Sequence, residues 1–484
     1  MIHTPSQVYT HLKETLISYL ETAYKISHQD VYCERRAALE EPGIVAQKPF
    51  IETTPEFRSG ETLRELAAKP NSRIPANLAN LFSFGTPLGS RPLWRHQQDA
   101  VEKWMEGRNL IAATGTGSGK TEMFMIPIFA RLLTEAAAWV RPPRSPQPGG
   151  WDRTTLRWRH CRSHESRQAG LRAIVLYPTN ALVNDQLRRL RRLLGSEESE
   201  NWQRRELNGN RIYLGMYTSG TEPTGHWSHD GRRHGWDVTR NDILATWQAM
   251  PEHLRRTGGW PRLDGSEMLC RWDMQLSPPD ILITNYSMLE YMLVRPIEDP
   301  IFDLTRAYLR TPGARLTLVI DEAHTYRGAR GTEVALLVRR LKERLGIAAG
   351  NGKFEFIATS ASLPTQQSQD DLIRFAANLS GEAERTFSVV TYGDIDRPPD
   401  YSPTDHERRA FAKFARNFDL REPENSLRTL ATDLGVEAGT RVLPRFYGHL
   451  VKAHNGPGGV SWHKGGGFQR STSVKRWRCS NPPV

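Results

Sequence analysis

Residues 114–121 of the chain read TGTGSGKT, and this glycine-rich stretch decides the fold that the surrounding sequence predicts. A short apolar run, residues 109–113 (NLIAA), precedes it, and helical patterning begins at Glu122. A strand, a glycine-rich turn, Lys120-Thr121 and a helix follow in the order that a phosphate-binding loop requires, because backbone N–H groups of such a turn point at the phosphates. The match to G-x-x-x-x-G-K-[ST] is loose at its first position, where Thr114 replaces glycine.

Length, composition and charge limit the classes of protein to consider. The 484 residues, 38% hydrophobic and 25% charged, predict a globular chain of two to four domains. No apolar run approaches the roughly 18 residues of a membrane span, and the N-terminus does not have the pattern of a signal peptide. The four cysteines form no C-x-x-C pair, so we expect no zinc site, no disulfides and a cytoplasmic location. The net charge of +11 favours a polyanionic partner, with nucleic acid preferred over a membrane.

Short apolar runs alternate with helical patterns, which predicts an α/β fold with a mostly parallel sheet flanked by helices. Two stretches rich in Trp and Arg, near 141–168 and 225–277, are predicted insertions, and the first is predicted to be a solvated loop in preference to a nucleic-acid contact. The predicted regions are an N-terminal accessory region (1–90), a nucleotide-binding lobe (91–365), the end of that lobe or the start of a linker (366–454), and a Gly-rich basic tail that we expect to be disordered (455–484).

A second chemical feature follows the largely apolar run at residues 316–320 (LTLVI), which predicts a strand buried on both faces. The run ends in Asp321-Glu322. Asp321 can hold Mg²⁺, and Glu322 can orient or deprotonate the water that attacks a γ-phosphate. Such a carboxylate pair is otherwise common at a helix N-terminus, where the dipole favours negative charge. With a phosphate loop upstream, the catalytic interpretation is favoured; His324, taken alone, is more typical of a structural histidine.

Together these pieces resemble the first motor lobe of superfamily 2 helicases of the DEAD/DEAH-box kind. The segments around the motifs, ITNYSMLEYMLVRP (283–296) and DEAHTYRGARGTEVALLVRRL (321–341), resemble large bacterial helicases of the Lhr and Mrf groups, which act on DNA in repair or defence. The resemblance spans about residues 91–365. Seven motifs carry it in the family's order: Gln97 in WRHQQ, TGTGSGKT, YPTNALVNDQ (177–186), TSGT (218–221), TNYSML (284–289), DEAH (321–324), and Ser360-Ala361-Ser362, where the family usually ends in Thr.

The resemblance implies a RecA-like fold, ATP and Mg²⁺ as cofactors, and a nucleic-acid partner, expected to be DNA. It also implies roles for individual residues. These are nucleotide binding by Gln97, Thr116, Gly117, Ser118, Gly119, Lys120 and Thr121; catalysis by Glu322, Asp321 and Lys120; Mg²⁺ binding by Thr121 and Asp321; coupling of hydrolysis to movement by His324, Ser360, Ala361 and Ser362; and nucleic-acid contact by Pro178, Thr179, Asn180, Ser219, Gly220, Thr221, Thr284 and Asn285.

A motor of this superfamily needs a second RecA-like lobe, whose Q-x-x-G-R-x-x-R-type motif supplies arginine to the γ-phosphate. No such motif follows Ser362 in this sequence. We therefore expect half of a helicase, truncated or split, that is weakly active or inactive until a second lobe is supplied in cis or in trans. An alternative hypothesis is a nucleotide-gated nucleic-acid binding module without unwinding activity. A P-loop ATPase acting on proteins or small molecules is disfavoured by the ordered nucleic-acid motifs.

Overall fold

A computed structural model of the chain describes residues 5–41, 43–46, 50–51, 57–115, 117–152, 155, 157–227, 233–361, 369–391, 404–417, 423–434 and 477–478. The chain divides into two compact units, one formed by Met1–Phe57 with Asp394–Val484 and the other by Arg58–Gly393. Among the helices in these ranges, none has the length and apolar character that crossing a membrane would require.

The bounds of the helices and strands are as follows. The helices are α1 (Pro5–Ala23), α2 (Gln29–Glu40), α3 (Leu63–Ala68), α4 (Leu78–Phe82), α5 (Arg95–Met105), α6 (Lys120–Ala136), α7 (Asn180–Gly195), α8 (Glu197–Glu206), α9 (Arg233–Ala249), α10 (Glu252–Arg256), α11 (Arg271–Leu276), α12 (Tyr286–Met292), α13 (Asp299–Leu309), α14 (Ala329–Leu345), α15 (Gln369–Ser380), α16 (Asp405–Asn417) and α17 (Pro423–Asp433). The strands are β1 (Phe50–Ile51), β2 (Asn109–Ala113), β3 (Gly150–Trp151), β4 (Trp158–Arg159), β5 (Ala173–Tyr177), β6 (Leu214–Tyr217), β7 (Glu267–Met268), β8 (Ile281–Asn285), β9 (Leu316–Ile320), β10 (Phe354–Ser360), β11 (Phe387–Thr391) and β12 (Trp477–Arg478).

The unit Arg58–Gly393 is built on a sheet of eight parallel strands in the order β11-β2-β10-β9-β5-β8-β6-β7. Its central strands are buried on both faces, as their largely apolar runs predict. Since all eight strands run the same way, their carboxyl ends lie along one edge of the sheet, where ligands bind in open α/β folds. The predicted RecA-like α/β class is confirmed.

Successive side chains of each strand point to opposite faces of the sheet, and two hydrophobic cores result. One core contains Val175 and the inward faces of α3 to α7; the other contains Ile174 and those of α12 to α15. Phe82 of α4 packs edge-on against Phe129 of α6, with ring centroids 5.8 Å apart. This packing, and the pairing of β11 with β2, extend the unit beyond the predicted 91–365 at both ends.

The other unit contains two small helical packings. In the first, α1 and α2 are joined by the ion pair between Arg36 and Glu21 (2.9 Å), and Ile17 is buried. In the second, α16 and α17 pack around Ala410 and Leu430. A two-residue antiparallel pairing joins β1 to β12. The predicted 366–454 region is therefore divided, because α15 and β11 belong to the sheet unit. Except for β12, the predicted disordered tail at 455–484 lies outside the described residues.

The two predicted insertions fold together into one tryptophan module, which we define by Trp151, Trp158, Trp227, Trp236 and Trp272. The ring centroids of Trp158 and Trp272 are 5.1 Å apart, and those of Trp151 and Trp158 are 5.5 Å apart, both edge-to-face. Such aromatic contacts stabilise beyond the area they bury. The expectation of a solvated loop at 141–168 is wrong for its second half, since Trp158 is buried. Two of its aromatic partners, Trp236 and Trp272, lie more than 70 residues away in sequence, so local periodicity gave no sign of this burial.

A buried carboxyl group, Asp273, lies inside the tryptophan module. Its Oδ1 accepts hydrogen bonds from Trp158 Nε1 (2.7 Å) and from the backbone N–H of Cys161 (3.2 Å). Burial without an ion-pair partner among the described residues raises the pKa of Asp273 to about 6.

This pKa predicts that the chain is more stable in mild acid. Between about pH 4 and pH 6 the folded state binds more protons than the unfolded state, so the free energy of unfolding falls as pH rises through that window. We expect Asp273 to contribute about 1 kcal/mol more stability at pH 5 than at pH 8. Urea unfolding of wild type and Asp273→Asn at both pH values measures the difference. An equal change in both proteins would show that Asp273 does not titrate as expected.

A second buried carboxylate, Asp280, stands just before β8, at the amino ends of the strands. Arg167 donates to both of its oxygens (2.7 Å each), and the backbone N–H of Tyr213 donates to Oδ2 (2.8 Å). Arg172 and Arg162 lie 3.5 and 3.8 Å away. Although burial opposes it, the three guanidinium groups hold the pKa of Asp280 well below its usual range. This cluster of one carboxylate and three guanidinium groups joins the segments that precede β5, β6 and β8. It was not predicted from the sequence.

Candidate nucleotide and nucleic-acid site

The phosphate loop lies between the end of β2 and the first turn of α6, as the sequence predicts. Gly117 and Gly119 have φ angles of 80° and 76°, in the left-handed region that favours glycine. A Cβ atom on Gly119 would lie 2.2 Å from Gln97 Nε2, so a side chain there would displace the Gln97 amide. The hydroxyls of Thr114 and Ser118 are hydrogen-bonded at 2.7 Å. Of the predicted nucleotide and coupling residues, Thr116 and Ser362 lie outside the described residues.

Two neighbouring residues of α5 hold the phosphate loop from one side. Gln97 accepts from the Trp94 backbone N–H (2.9 Å) and donates to the carbonyl of Gly119 (3.2 Å). His96 Nε2 lies 2.8 Å from the carbonyl of Ser118 and must donate to it, because a carbonyl only accepts. Burial lowers the pKa of His96, which favours the neutral ring. Gln97 was predicted and its role in reading adenine stays a prediction; His96 was missed, and its position next to Gln97 was the available signal.

The predicted catalytic groups come together at the ends of β2, β10 and β9. Lys120 Nζ lies 3.5 Å from Glu322 Oε1, and its ammonium is buried with no shorter hydrogen bond among the described residues. His324 Nδ1 lies 3.3 Å from Glu322 Oε2 and 3.2 Å from the hydroxyl of Ser360. Because β10 lies between β2 and β9, Ser360 at its end joins the two halves of the site. Its carbonyl also accepts from the backbone N–H of Thr114 (3.2 Å).

The carboxylate pair has an unusual backbone conformation. Glu322 has φ 51° and ψ 45°, in the left-handed region that non-glycine residues rarely occupy. Such conformations concentrate at functional sites, where the surrounding structure holds them. Asp321 is held by Thr359, whose hydroxyl donates to Oδ1, and by the Glu322 backbone N–H (3.0 Å). Burial raises the pKa of Asp321.

The donor set at this site suits a magnesium ion that arrives with a nucleotide. Mg²⁺ prefers oxygen ligands and takes one or two protein groups together with phosphates and water. Thr121 and Asp321 offer a hydroxyl and a carboxylate of this kind, and their role stays a prediction. Across the part of the chain that the structure describes, no group of three or more His, Cys, Asp or Glu side chains is arranged to hold a metal by itself.

The predicted nucleic-acid residues lie at or just after the carboxyl ends of β5, β6 and β8, three neighbouring strands of the sheet. Asn285 donates from Nδ2 to Asn180 Oδ1 (2.7 Å), which joins the loops after β8 and β5. Ser219 and Gly220 form an exposed tip after β6. Pro178 is half-buried, and Thr179 is an exposed residue immediately before α7.

The structure places two of these predicted contacts below the surface. Thr284 is fully buried, and its hydroxyl donates to the carbonyl of Tyr217 (2.6 Å). Thr221 is also buried; its hydroxyl accepts from the Thr218 N–H (3.0 Å) and donates to the carbonyl of Met216 (2.9 Å). These hydroxyls hold the loops in shape, while the exposed neighbours are available to a ligand.

Comparisons with known proteins agree with this geometry. The DEAD/DEAH box helicase family matches residues 94–216. The Druantia protein DruE of Escherichia coli (strain UMEA 4076-1) is 36% identical over 478 residues, which cover 87% of this chain and 24% of that protein. The chain thus spans about a quarter of the length of this curated relative.

Two solved structures are also similar. A crystal structure of the DUF1998 helicase MrfA bound to DNA is 19% identical, with a TM-score of 0.38 and coverage of 81% of this chain and 42% of that one. A structure of Mss116p bound to ssRNA and AMP-PNP is 14% identical, with a TM-score of 0.39 and coverage of 78% and 56%. The match to the DEAD/DEAH box helicase family thus covers the part of the chain from α5 to β6, which contains the glycine-rich loop, and the DEAH segment lies at the same edge of the parallel sheet.

Proposed function

We propose that this chain is a motor lobe of an ATP-dependent helicase or translocase that acts on nucleic acid, with DNA as the expected substrate and the cytoplasm as the expected compartment. The observation that carries the proposal is the Lys120–Glu322 pair, at 3.5 Å, on the sheet edge that also bears Asn180 and the Ser219-Gly220 tip. Two reactive groups that follow separate strands, β2 and β9, meet there beside loops suited to a polymer backbone. The DNA preference rests on the resemblance of the motifs.

The site residues have separable roles in this proposal. Lys120 and the backbone of residues 117–119 would bind the phosphates, and the ammonium would leave Glu322 as it turns to them. Glu322 would then accept a proton from, or orient, the attacking water. Thr121 and Asp321 would hold Mg²⁺, which neutralises phosphate charge when bound. Through Ser360, which contacts both the DEAH segment and Thr114, a change at the nucleotide would move the end of β10.

A second RecA-like lobe, supplied in cis or in trans, would complete the site with an arginine directed at the γ-phosphate. An arginine in that role contributes about 10³ to 10⁵ in rate, so we expect the residues described here to bind nucleotide better than they hydrolyse it. The feature that favours the second candidate function, a nucleotide-gated binding module, is that no Q-x-x-G-R-x-x-R-type motif follows Ser362 in these 484 residues. ATP turnover stimulated by single strands supports the motor, and its absence with a second lobe present supports the module.

The nucleotide part of the proposal is tested by Lys120→Ala. Removing the buried ammonium should weaken binding of a fluorescent ATP analogue by about 10- to 100-fold, the range expected for a charge-assisted contact. Lys353→Ala is the matched control, since Lys353 precedes β10 at the opposite edge of the sheet and donates to the Thr311 carbonyl. Equal affinity in wild type and Lys120→Ala would exclude the phosphate-loop assignment.

A further inference from the structure

The exposed Ser219-Gly220 tip depends on a loop, residues 218–225, that has little secondary structure of its own. Within it, the backbone N–H of Thr221 donates to the carbonyl of Thr218 (3.1 Å), which closes a single turn. The carbonyl of Thr218 lies at the base of this turn. It accepts a second hydrogen bond from the buried side chain of Arg271, the residue next to Trp272 of the tryptophan module. The position of the tip is therefore determined partly by residues far away in sequence.

The residues that contact this loop lie on α11. The guanidinium of Arg271 donates to the carbonyl of Thr218 (2.6 Å) and stacks on the ring of Tyr217, with 4.9 Å from Cζ to the ring centroid. The backbone N–H of Arg271 donates to the carbonyl of Glu222 (3.2 Å). Trp272 Nε1 donates to the carbonyl of Gly225 (2.8 Å). One short helix thus contacts the loop before, within and after the turn.

Arg271 is a costly residue to place there. It is 3% exposed, and no carboxylate lies within ion-pair distance of it in the part of the chain described. Its Nε is buried and makes no hydrogen bond within those residues. A buried, unpaired cation lowers stability, and an apolar side chain of similar length would fill the same space at less cost. The hydrogen bond to the Thr218 carbonyl is the interaction that an apolar side chain could not make.

The rest of the module holds α11 in place. Trp272 packs between Trp151 and Trp158, and the neighbouring Asp273 accepts from Trp158 and from the Cys161 backbone. Gln275 donates to the hydroxyl of Tyr217 (3.0 Å). The two insertions therefore form one rigid support whose inner end is Arg271.

We propose that Arg271 is a positioning residue for nucleic-acid binding: through the Thr218 carbonyl, the tryptophan module holds Ser219-Gly220 in the orientation that meets the strand. This inference rests on the proposed function of the same edge. Arg271 itself is buried under the loop and does not touch the ligand.

The test compares Arg271→Met with wild type in the full chain, using fluorescence anisotropy of a fluorescein-labelled oligodeoxythymidine strand. Methionine keeps the apolar contact with Tyr217 and removes the donor. We expect about a tenfold rise in Kd. We also expect the dependence of log Kd on log salt to keep its slope, because no phosphate contact is lost. A slope lower by about one would mean that Arg271 contacts a phosphate directly, which would overturn the positioning role.

Arg262→Met is the matched control, since Arg262 also stacks on an aromatic ring, that of Trp247 (5.2 Å), but contacts Glu200 and Asp264 instead of the loop. It should leave Kd unchanged. Ser219→Ala is combined with Arg271→Met in a double-mutant cycle. If Arg271 acts through the tip, the two effects are not additive. Additive effects, or an equal loss in Arg262→Met, would contradict the proposal.

Hydrogen exchange of the free chain separates this inference from the proposed function. In Arg271→Met the amides of residues 218–222 should exchange faster than in wild type and Arg262→Met. If wild type binds no strand but this local effect is seen, the support role stands and the nucleic-acid function fails. If the amides do not respond, the support role fails whatever the binding. Arg271→Lys keeps one donor, so its Kd and its amide exchange at residues 218–222 should lie between those of wild type and Arg271→Met. This variant replaces Arg271→Met in both measurements if the methionine variant does not fold.

Discussion

Replacing Glu322 with glutamine should lower ATP turnover by about 10²- to 10⁴-fold and leave nucleotide binding intact, because the amide keeps the shape but cannot accept a proton from water. Glu322 is the carboxylate that the left-handed backbone at 51° directs toward Lys120. Since the variant also loses the Lys120 ion pair, the ammonium becomes free for phosphate. We therefore expect the affinity for ATP to stay equal or to rise while turnover falls.

The measurement is phosphate release under single-strand stimulation, made with a second lobe present, beside equilibrium binding of an ATP analogue. Glu343→Gln is the control, an exposed carboxylate on α14 that should change neither quantity. Normal turnover in Glu322→Gln would exclude Glu322 as the residue that handles water. If nucleotide binding were lost together with turnover, Glu322 would instead be a residue that maintains the structure of the phosphate loop.

Much of this site could be predicted from the sequence because its parts are local. The phosphate loop needs only a strand, two glycines in the left-handed region and Lys120-Thr121, all within one stretch of chain. The carboxylates at 321–322 follow a strand whose burial was predicted from its largely apolar residues. Parallel strands then bring distant motifs to a common edge, where Lys120 lies 3.5 Å from Glu322.

The features of the site that could not be predicted from the sequence depend on contacts between side chains that are distant along the chain. Thr284 and Thr221 resemble contact residues by motif, yet their hydroxyls are used inside the protein. Two of the arginines of α7 are likewise used inside the protein: Arg189 pairs with Glu122 (2.5 Å) and Arg191 with Glu267. Such pairs depend on which side chains the fold brings together, and the periodicity of the sequence does not indicate this.

The largest expected loss of stability follows from Asp280→Ala. The change removes the carboxylate that Arg167, Arg162 and Arg172 surround and leaves those guanidinium groups short of negative charge in a buried region. Removing one partner of a buried pair costs about 3–5 kcal/mol, because an uncompensated charge remains. Unfolding by urea, followed by tryptophan fluorescence, measures the loss. The effect should be local to the amino ends of the strands, so nucleotide binding should survive wherever the variant is folded.

A control variant and the pH dependence show whether the charge of Asp280 causes the loss of stability. Asp303→Ala removes an exposed carboxylate that pairs with Arg306 and Arg344, and exposed pairs contribute about 1 kcal/mol or less. Because the pKa of Asp280 is lowered in the folded state, its contribution is present above the unfolded pKa of about 3.9 and is lost as pH falls through the folded value. Wild type and Asp280→Ala should therefore converge in stability in strong acid. If they stay equally far apart there, the loss comes from the cavity and the broken Tyr213 hydrogen bond, and the charge of Asp280 is not what holds the three arginines.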